Sequence, residues 1–163
     1  MKKYSAVPAI LILIIGFVVI AYAGDKSAMP APAGNDLRKY VIDVDPYKNW
    51  ILWPGTINMS EGTEPHGAFV TIYINEAAFW SLKKMKGFRN NSIVLKENFN
   101  KNKKLEALTV MYKVKGFNPD GGDWFWAKYD KNHNVISEGK IAGCLDCHAD
   151  ASINDYVFSG KAK

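Results

Sequence analysis

Both cysteines of this 163-residue chain, and one of its three histidines, fall within five consecutive residues, Cys144-Leu145-Asp146-Cys147-His148. On a turn of helix, residues three apart share a face, so the two thiols point the same way with the imidazole beside them. C-x-x-C-H is the pattern of covalent haem attachment, in which the thiols take the two vinyl groups and the histidine takes the iron. Two rival chemistries fit less well. A zinc site needs about four ligands, and only His66 and His133 remain as nitrogen donors, with no second cysteine pair. A thioredoxin-like dithiol expects a βαβ setting, which the segments before Cys144 do not offer. A chain with this motif must leave room beside one helix for a macrocycle, and His148 is the expected iron ligand.

The amino terminus bears on the cysteines too. Lys2 and Lys3 precede an apolar run from Val7 to Ile20, and Ala21-Tyr22-Ala23 is a small-x-small cleavage site. The run has 14 residues, whereas a spanning helix needs about 20. Residues 1–23 therefore read as a cleaved secretory signal, and the mature protein is expected in the periplasm. Two cysteines there would ordinarily suggest a disulfide, but their spacing and the adjoining histidine favour haem. Without the two signal lysines the net charge of +5 falls to +3. That is too mild, in an exported protein, to argue for nucleic acid. The lysine clusters at 83–86 and 101–104 read as solvated surface.

Residues 24–34, rich in Pro, Gly and Ala, read as a flexible tether, and residues 35–163 as one folded domain. Within it, Phe69–Ile74 is a strand by its aromatic and β-branched content. Asn75 stands where a helix N-cap belongs, with Glu76 in the first turn and Gly87 near the end, which predicts a short helix between them. Three more strands are predicted, over 92–99, 105–114 and 123–129, each with alternating side chains and separated by Asn-, Gly- and Asp-rich turns. The fold class is α+β, mainly an antiparallel β-sheet with a few short helices and one haem attached near the C-terminus.

The polar residues within these strands are ambiguous. By alternation alone Lys96 is an exposed lysine on the solvent side of a half-buried sheet. Lys113 shares that ambiguity, and Glu97, on the opposite apolar face, is expected at an edge or paired with a lysine. Glu138 is near enough to Cys144 in sequence to reach a haem pocket. No methionine or histidine follows His148, so a sixth iron ligand would have to come from Met59, Met85, Met111, His66 or His133. Met111 reads as core, His133 as solvated, and His66 is open between the two. An open iron position is favoured, pointing to small-molecule chemistry or gas binding.

Several stretches are familiar together: Pro65-His66-Gly67, Ser92 to Asn98 (SIVLKEN), Thr109 to Val114 (TVMYKV), Gly122 to Tyr129 (GDWFWAKY), Gly143 to His148, and Asp155 to Phe158 (DYVF). Between about Trp50 and Phe158 the chain resembles the cytochrome P-460 family, whose relatives include the β-sheet cytochromes c′. The resemblance implies a mostly antiparallel sheet, a homodimer and a single haem c. It also implies a lysine joined covalently to the haem edge, matched here by Lys96, and so reverses the solvent-side reading of that residue. Members with that link oxidise hydroxylamine at a five-coordinate haem and pass electrons to a soluble redox partner. Glu138 resembles the acid that relays protons in them. Relatives without the link bind nitric oxide or carbon monoxide behind bulky apolar residues, a role open here to Phe69 and Phe79.

Overall fold

A computed structural model describes residues 28–158. The expected signal sequence lies outside these residues. Seven strands form one antiparallel sheet: β1 (Ile51–Leu52), β2 (Ser60–Glu61), β3 (Phe69–Ile74), β4 (Ile93–Phe99), β5 (Leu105–Lys113), β6 (Trp124–Asp130) and β7 (Val135–Gly139). The order across the sheet is β1-β3-β4-β5-β6-β7, with β2 also pairing β3. The three short helices are α1 (Gly34–Lys39), α2 (Glu76–Lys84) and α3 (Ala142–His148). The four longer strands fall where the sequence predicts them, β3 by its aromatic and β-branched content and β4, β5 and β6 by alternation. The short β1 and β2, the five-residue β7 and α1 do not stand out there, because two to six residues carry too little periodicity.

Both faces of the sheet are covered, and this governs everything that follows. One face carries Tyr73, Leu95, Leu108, Val110, Tyr112, Phe125 and Tyr129, closed by Leu37 of α1 and by Tyr40 and Val41 of the π-helical turn after it. The other carries Ile72, Val94, Met111, Trp124 and Trp126, against which Ala78 of α2 and Cys144 and Leu145 of α3 pack. A polar residue inside a strand therefore has no solvent side to turn to, and must find a partner or a cavity.

Glu97 shows the first solution. Only 3% exposed, its carboxylate accepts hydrogen bonds from the hydroxyls of Tyr47 (2.9 Å) and Tyr73 (3.3 Å) and pairs with Lys48. The lysine partner expected for Glu97 is thus Lys48, from the turn ahead of β1.

The segment expected as a tether is seated on the fold over its last residues. Met29 packs on the first core, the Pro30 carbonyl accepts from Tyr112 Oη at 3.1 Å, and Gly34 starts α1. Gly34 N donates to Glu138 Oε2 at 2.9 Å, and Tyr129 Oη donates to the Gly34 carbonyl at 2.9 Å.

Asn75 caps α2 as expected and does more. Its Oδ1 accepts from Ala78 N (3.0 Å) and from Ile93 N (2.9 Å), while Nδ2 donates to the Asn91 carbonyl (2.8 Å). One side chain thereby ties the helix start to the start of β4. The helix ends with Met85 in the left-handed region (φ 49°), two residues before Gly87. Asn75→Ala is expected to cost about 2 kcal/mol or more, a lost cap plus a buried strand N–H without a partner. Chemical denaturation measures it directly.

Candidate functional site

The face that carries Trp124 and Trp126 is not filled by side chains. Between it, α3 and the loop 62–68 lies a cavity of about 400 Å³ whose wall includes His66, Lys96, Thr109, Met111, Trp126, Lys128, Cys144, Cys147 and His148. A second space of about 350 Å³ adjoins it and shares Pro65, His66, Lys96, Cys147 and His148. Volumes of this order suit a cofactor rather than a few waters.

α3 brings the C-x-x-C-H residues to this wall. His148 is 6% exposed and packs between Trp126 and Phe158, with ring centroids 4.7 and 5.2 Å away. Its Nδ1 lies 2.6 Å from the Tyr156 carbonyl. A carbonyl only accepts, so Nδ1 carries the hydrogen and Nε2 keeps its lone pair for a metal, the arrangement that orients ligating histidines. Burial pushes His148 below the usual histidine range, which also favours the neutral, ligating ring. Cys144 and Cys147 form no disulfide with each other, and burial holds the Cys144 thiol above the usual range.

The carbonyl is held in place by the tail after α3. Asp155 and Tyr156 both adopt positive φ (58° and 65°). Asp155 accepts from Phe88 N at 2.7 Å and pairs with Lys113 Nζ at 2.5 Å, while Trp124 Nε1 donates to its carbonyl at 2.9 Å. Lys113, ambiguous by alternation, is the inward partner of this tail. Gly122 makes room for it, because a Cβ there would lie 2.7 Å from the Tyr156 ring.

Lys96 sits in β4 opposite Ile72 on one side and Thr109 on the other. Its side chain lines both spaces and has no carboxylate ion-pair partner among the described residues. Burial lowers its ammonium below the usual lysine range, toward the free amine. The solvent-side reading is thus corrected: α3 and the loop 62–68 close over this part of the face, and the lysine points into the cavity. Lys128, opposite Thr109 on β6, lines the same wall. Nothing in the sequence singled it out, beyond its falling in the Trp-rich strand.

Glu138 is not part of this group. It pairs with Ala127 on the other face of the sheet, and its carboxylate is taken up by Gly34 N. An irregularity in the β6–β7 pairing at Lys128/Tyr129 leaves Ile136 and Ser137 on the cavity wall instead. Alternation across a bulge slips by one residue, which proximity to Cys144 in sequence cannot register. Phe69 and Phe79 do not line the cavity either, whereas Phe158 borders the second space. Of the sixth-ligand candidates, Met111 and His66 reach the wall; Met59 and Met85 are exposed, and His133 lies in the turn between β6 and β7.

His66 is set by a tight loop. Gly62 N donates to the Ala68 carbonyl, His66 N to that of Thr63, both at 2.9 Å, and the Glu64–Pro65 peptide is cis. Burial, with Lys96 and His148 adding to it and the Asn98 amide opposing, pushes the imidazole down to about 4. Gly67 has φ +85°, and a Cβ on it would come 2.7 Å from the Phe99 carbonyl oxygen. Gly67→Ala is expected to cost about 1–2 kcal/mol for the left-handed backbone alone, and more for the collision. Gly116→Ala, at φ +80° with nothing within 4 Å, supplies the comparison in thermal unfolding.

The residues present fit a haem. The cavity is mainly apolar, both thiols and a lone-pair nitrogen border it, and the buried Trp126 Nε1 on its wall has no hydrogen-bond partner among the described residues. A buried donor without a partner on the wall of such a cavity is the state expected where a bound group completes the site. An antiparallel sheet with a C-x-x-C-H helix closing one end of such a cavity is the make-up of a β-sheet c-type cytochrome. The model of the Cytochrome P460 family matches residues 44–159, and the chain belongs to that family. It is a c-type cytochrome of P-460 type, with haem c as the cofactor the family implies. No curated protein matches it in sequence.

Proposed function

We propose that the protein is an exported, dimeric monohaem enzyme of the P-460 type that oxidises hydroxylamine or a related small nitrogen species. Cys144 and Cys147 would hold the haem by thioether bonds, His148 Nε2 would ligate its iron, and Lys96 Nζ would be joined to the ring edge, one N–H and one ring C–H being lost to a two-electron oxidant. The haem supplies one-electron redox chemistry and a position for a small ligand. The chain's own part is to keep that position open, exclude bulk water and hold the ring rigidly. His148 is braced by the Tyr156 carbonyl, Trp126 and Phe158. Electrons leave singly to a soluble acceptor.

The observation that carries this reading is the position of Lys96. A half-buried lysine with no carboxylate partner, lowered toward the free amine, shares one cavity with His148 and Cys147. A charged lysine there would be costly without a role. Tryptic mass spectrometry of the mature protein tests it. The Lys96 peptide should travel with the haem-bearing Cys144–His148 peptide, and hydroxylamine should reduce the haem with turnover. A free Lys96 peptide would make a non-enzymatic nitric oxide or carbon monoxide binder the better reading. Inactivity despite the link would refute the enzyme.

A further inference from the structure

One cysteine of the C-x-x-C-H helix is carried to the surface. Cys147 is exposed although His148 beside it is buried, so a ring bonded to it would have one edge near solvent. Phe158 leads to the same place: it is 57% exposed, and its ring lies 5.2 Å from that of His148. It borders the second space together with Cys147, Thr56 and Ser60. The turn between the last two holds Ile57 outward, 72% exposed, with Met59 exposed beside it. This turn is fixed: Ser60 Oγ donates to the Ile57 carbonyl at 2.8 Å, and Met59 N donates to Thr71 Oγ1 at 3.0 Å. A fixed turn and an aromatic tail that show apolar side chains to water beside a cofactor site form a surface for another molecule.

Charge selects the occupant. The chain has 21 lysines and arginines, yet none falls in 54–67 or 141–158, the two segments that build this face. Lys161 and Lys163 follow Phe158 outside the described residues. Of the acids in those segments, Asp155 is buried against Lys113, and Glu61 is in register with Phe69, whose ring lies under Lys103. That leaves Glu64, on the wall of the second space, with Asp146 and Asp150 before and after Cys147. All three are exposed, and none forms an ion pair among the described residues. A second copy meeting this face across a two-fold axis would set these carboxylates against their own images. A basic partner would pair them.

We propose that the face around Cys147, Phe158 and Ile57 docks the soluble electron acceptor, a protein that presents basic side chains around an apolar contact. One electron passes from the reduced chain to the acceptor, which is reduced by one, and no bond or proton moves. The inference rests on the proposed function only in that this protein gives up electrons singly, and needs neither the Lys96 link nor hydroxylamine turnover.

Stopped-flow mixing of the full-length holoprotein, chemically reduced and freed of excess reductant, with ferric mitochondrial cytochrome c as a small basic probe tests it. At about 0.1 M ionic strength a charge is felt over about 10 Å, so the local face and not the net charge is read. The second-order rate should fall as salt rises. Glu64→Lys and Asp150→Lys should each slow it about three- to tenfold and flatten the salt dependence, whereas Glu106→Lys, remote on β5, should change it less than about twofold. Ile57→Ser should weaken the complex and leave the salt dependence as it is. If Glu64→Lys does not load haem, Asp150→Lys and Ile57→Ser decide the matter. A rate that rises with salt, or that neither charge variant changes, would overturn the proposal. So would an Ile57→Ser protein that sediments as a monomer where the wild type is a dimer, since the face would then belong to a second copy. Oxidation by ferricyanide but not by cytochrome c would overturn the docking face alone, and oxidation by neither would overturn electron donation as well. Absent hydroxylamine turnover with these trends intact would count against the enzyme reading and leave this result standing.

Discussion

Asp155→Ala is expected to destabilise the protein by about 3–5 kcal/mol, the range seen when one partner of a buried ion pair is removed. The pair with Lys113 is enclosed, with side-chain exposures of 14% and 10%. Removing the carboxylate strands the Lys113 ammonium against the Trp124 ring, 4.8 Å from its centroid, and leaves Phe88 N without its acceptor. Alanine also tolerates the left-handed conformation at this position less well than aspartate. Asp155→Asn, which keeps an acceptor oxygen for Phe88 N but not the charge, should cost less. Denaturant midpoints of the three proteins rank these effects. A second consequence separates this residue from an ordinary stabilising one. Tyr156, whose carbonyl holds His148 Nδ1 at 2.6 Å, follows Asp155 directly. With His148 as the proposed iron ligand, loosening the tail should weaken that bond and lower the basicity of its Nε2, moving the haem reduction potential upward. Loss of stability with an unmoved potential would show that the tail braces the fold alone.

On the function proposed above, Lys96→Arg is expected to abolish hydroxylamine oxidation, a fall in kcat of about a hundredfold or more, equivalent to about 2.7 kcal/mol or more of barrier. The substitution keeps the positive charge and most of the length while removing the chemistry. A guanidinium stays protonated at any working pH and has no lone pair for a bond to carbon, whereas the buried amine of Lys96 is already pushed toward its neutral form. The attachment proposed at Cys144 and Cys147 would use other atoms, so haem content should not change. The visible spectrum should become that of an ordinary high-spin c-type haem. An Arg variant with the wild-type spectrum and full turnover would remove Lys96 from the mechanism.

Some of this architecture was plain in the residue pattern. The haem motif is local: five residues on one helical turn specify where thiols and imidazole go, whatever surrounds them. The four long strands and the α2 cap are likewise short-range, and Asn75 read correctly because an N-cap is a matter of residues three apart. Glu97 was half legible. Its alternation put it on an apolar face, which demands a partner, but naming Lys48 required the turn at 47–49 to be packed against β4.

What sequence alone determined is therefore the chemistry at one end and the sheet that carries it: C-x-x-C-H, alternating strands, and a pattern of residues that matches one family. The tertiary structure decided which polar residues meet that chemistry. Alternation divides each strand into two sides but does not say what lies beyond either side. In a sheet covered on both faces, neither side is solvent. Lys96 turned out to face a cavity because α3 and the loop 62–68 close over its side of the sheet, and Glu138 to face α1 because a bulge shifts the β7 register. His66 joined the site through a loop that brings it next to Thr109, 43 positions away in the chain. Such contacts depend on how loops close and faces pack, and no local pattern of residues encodes them.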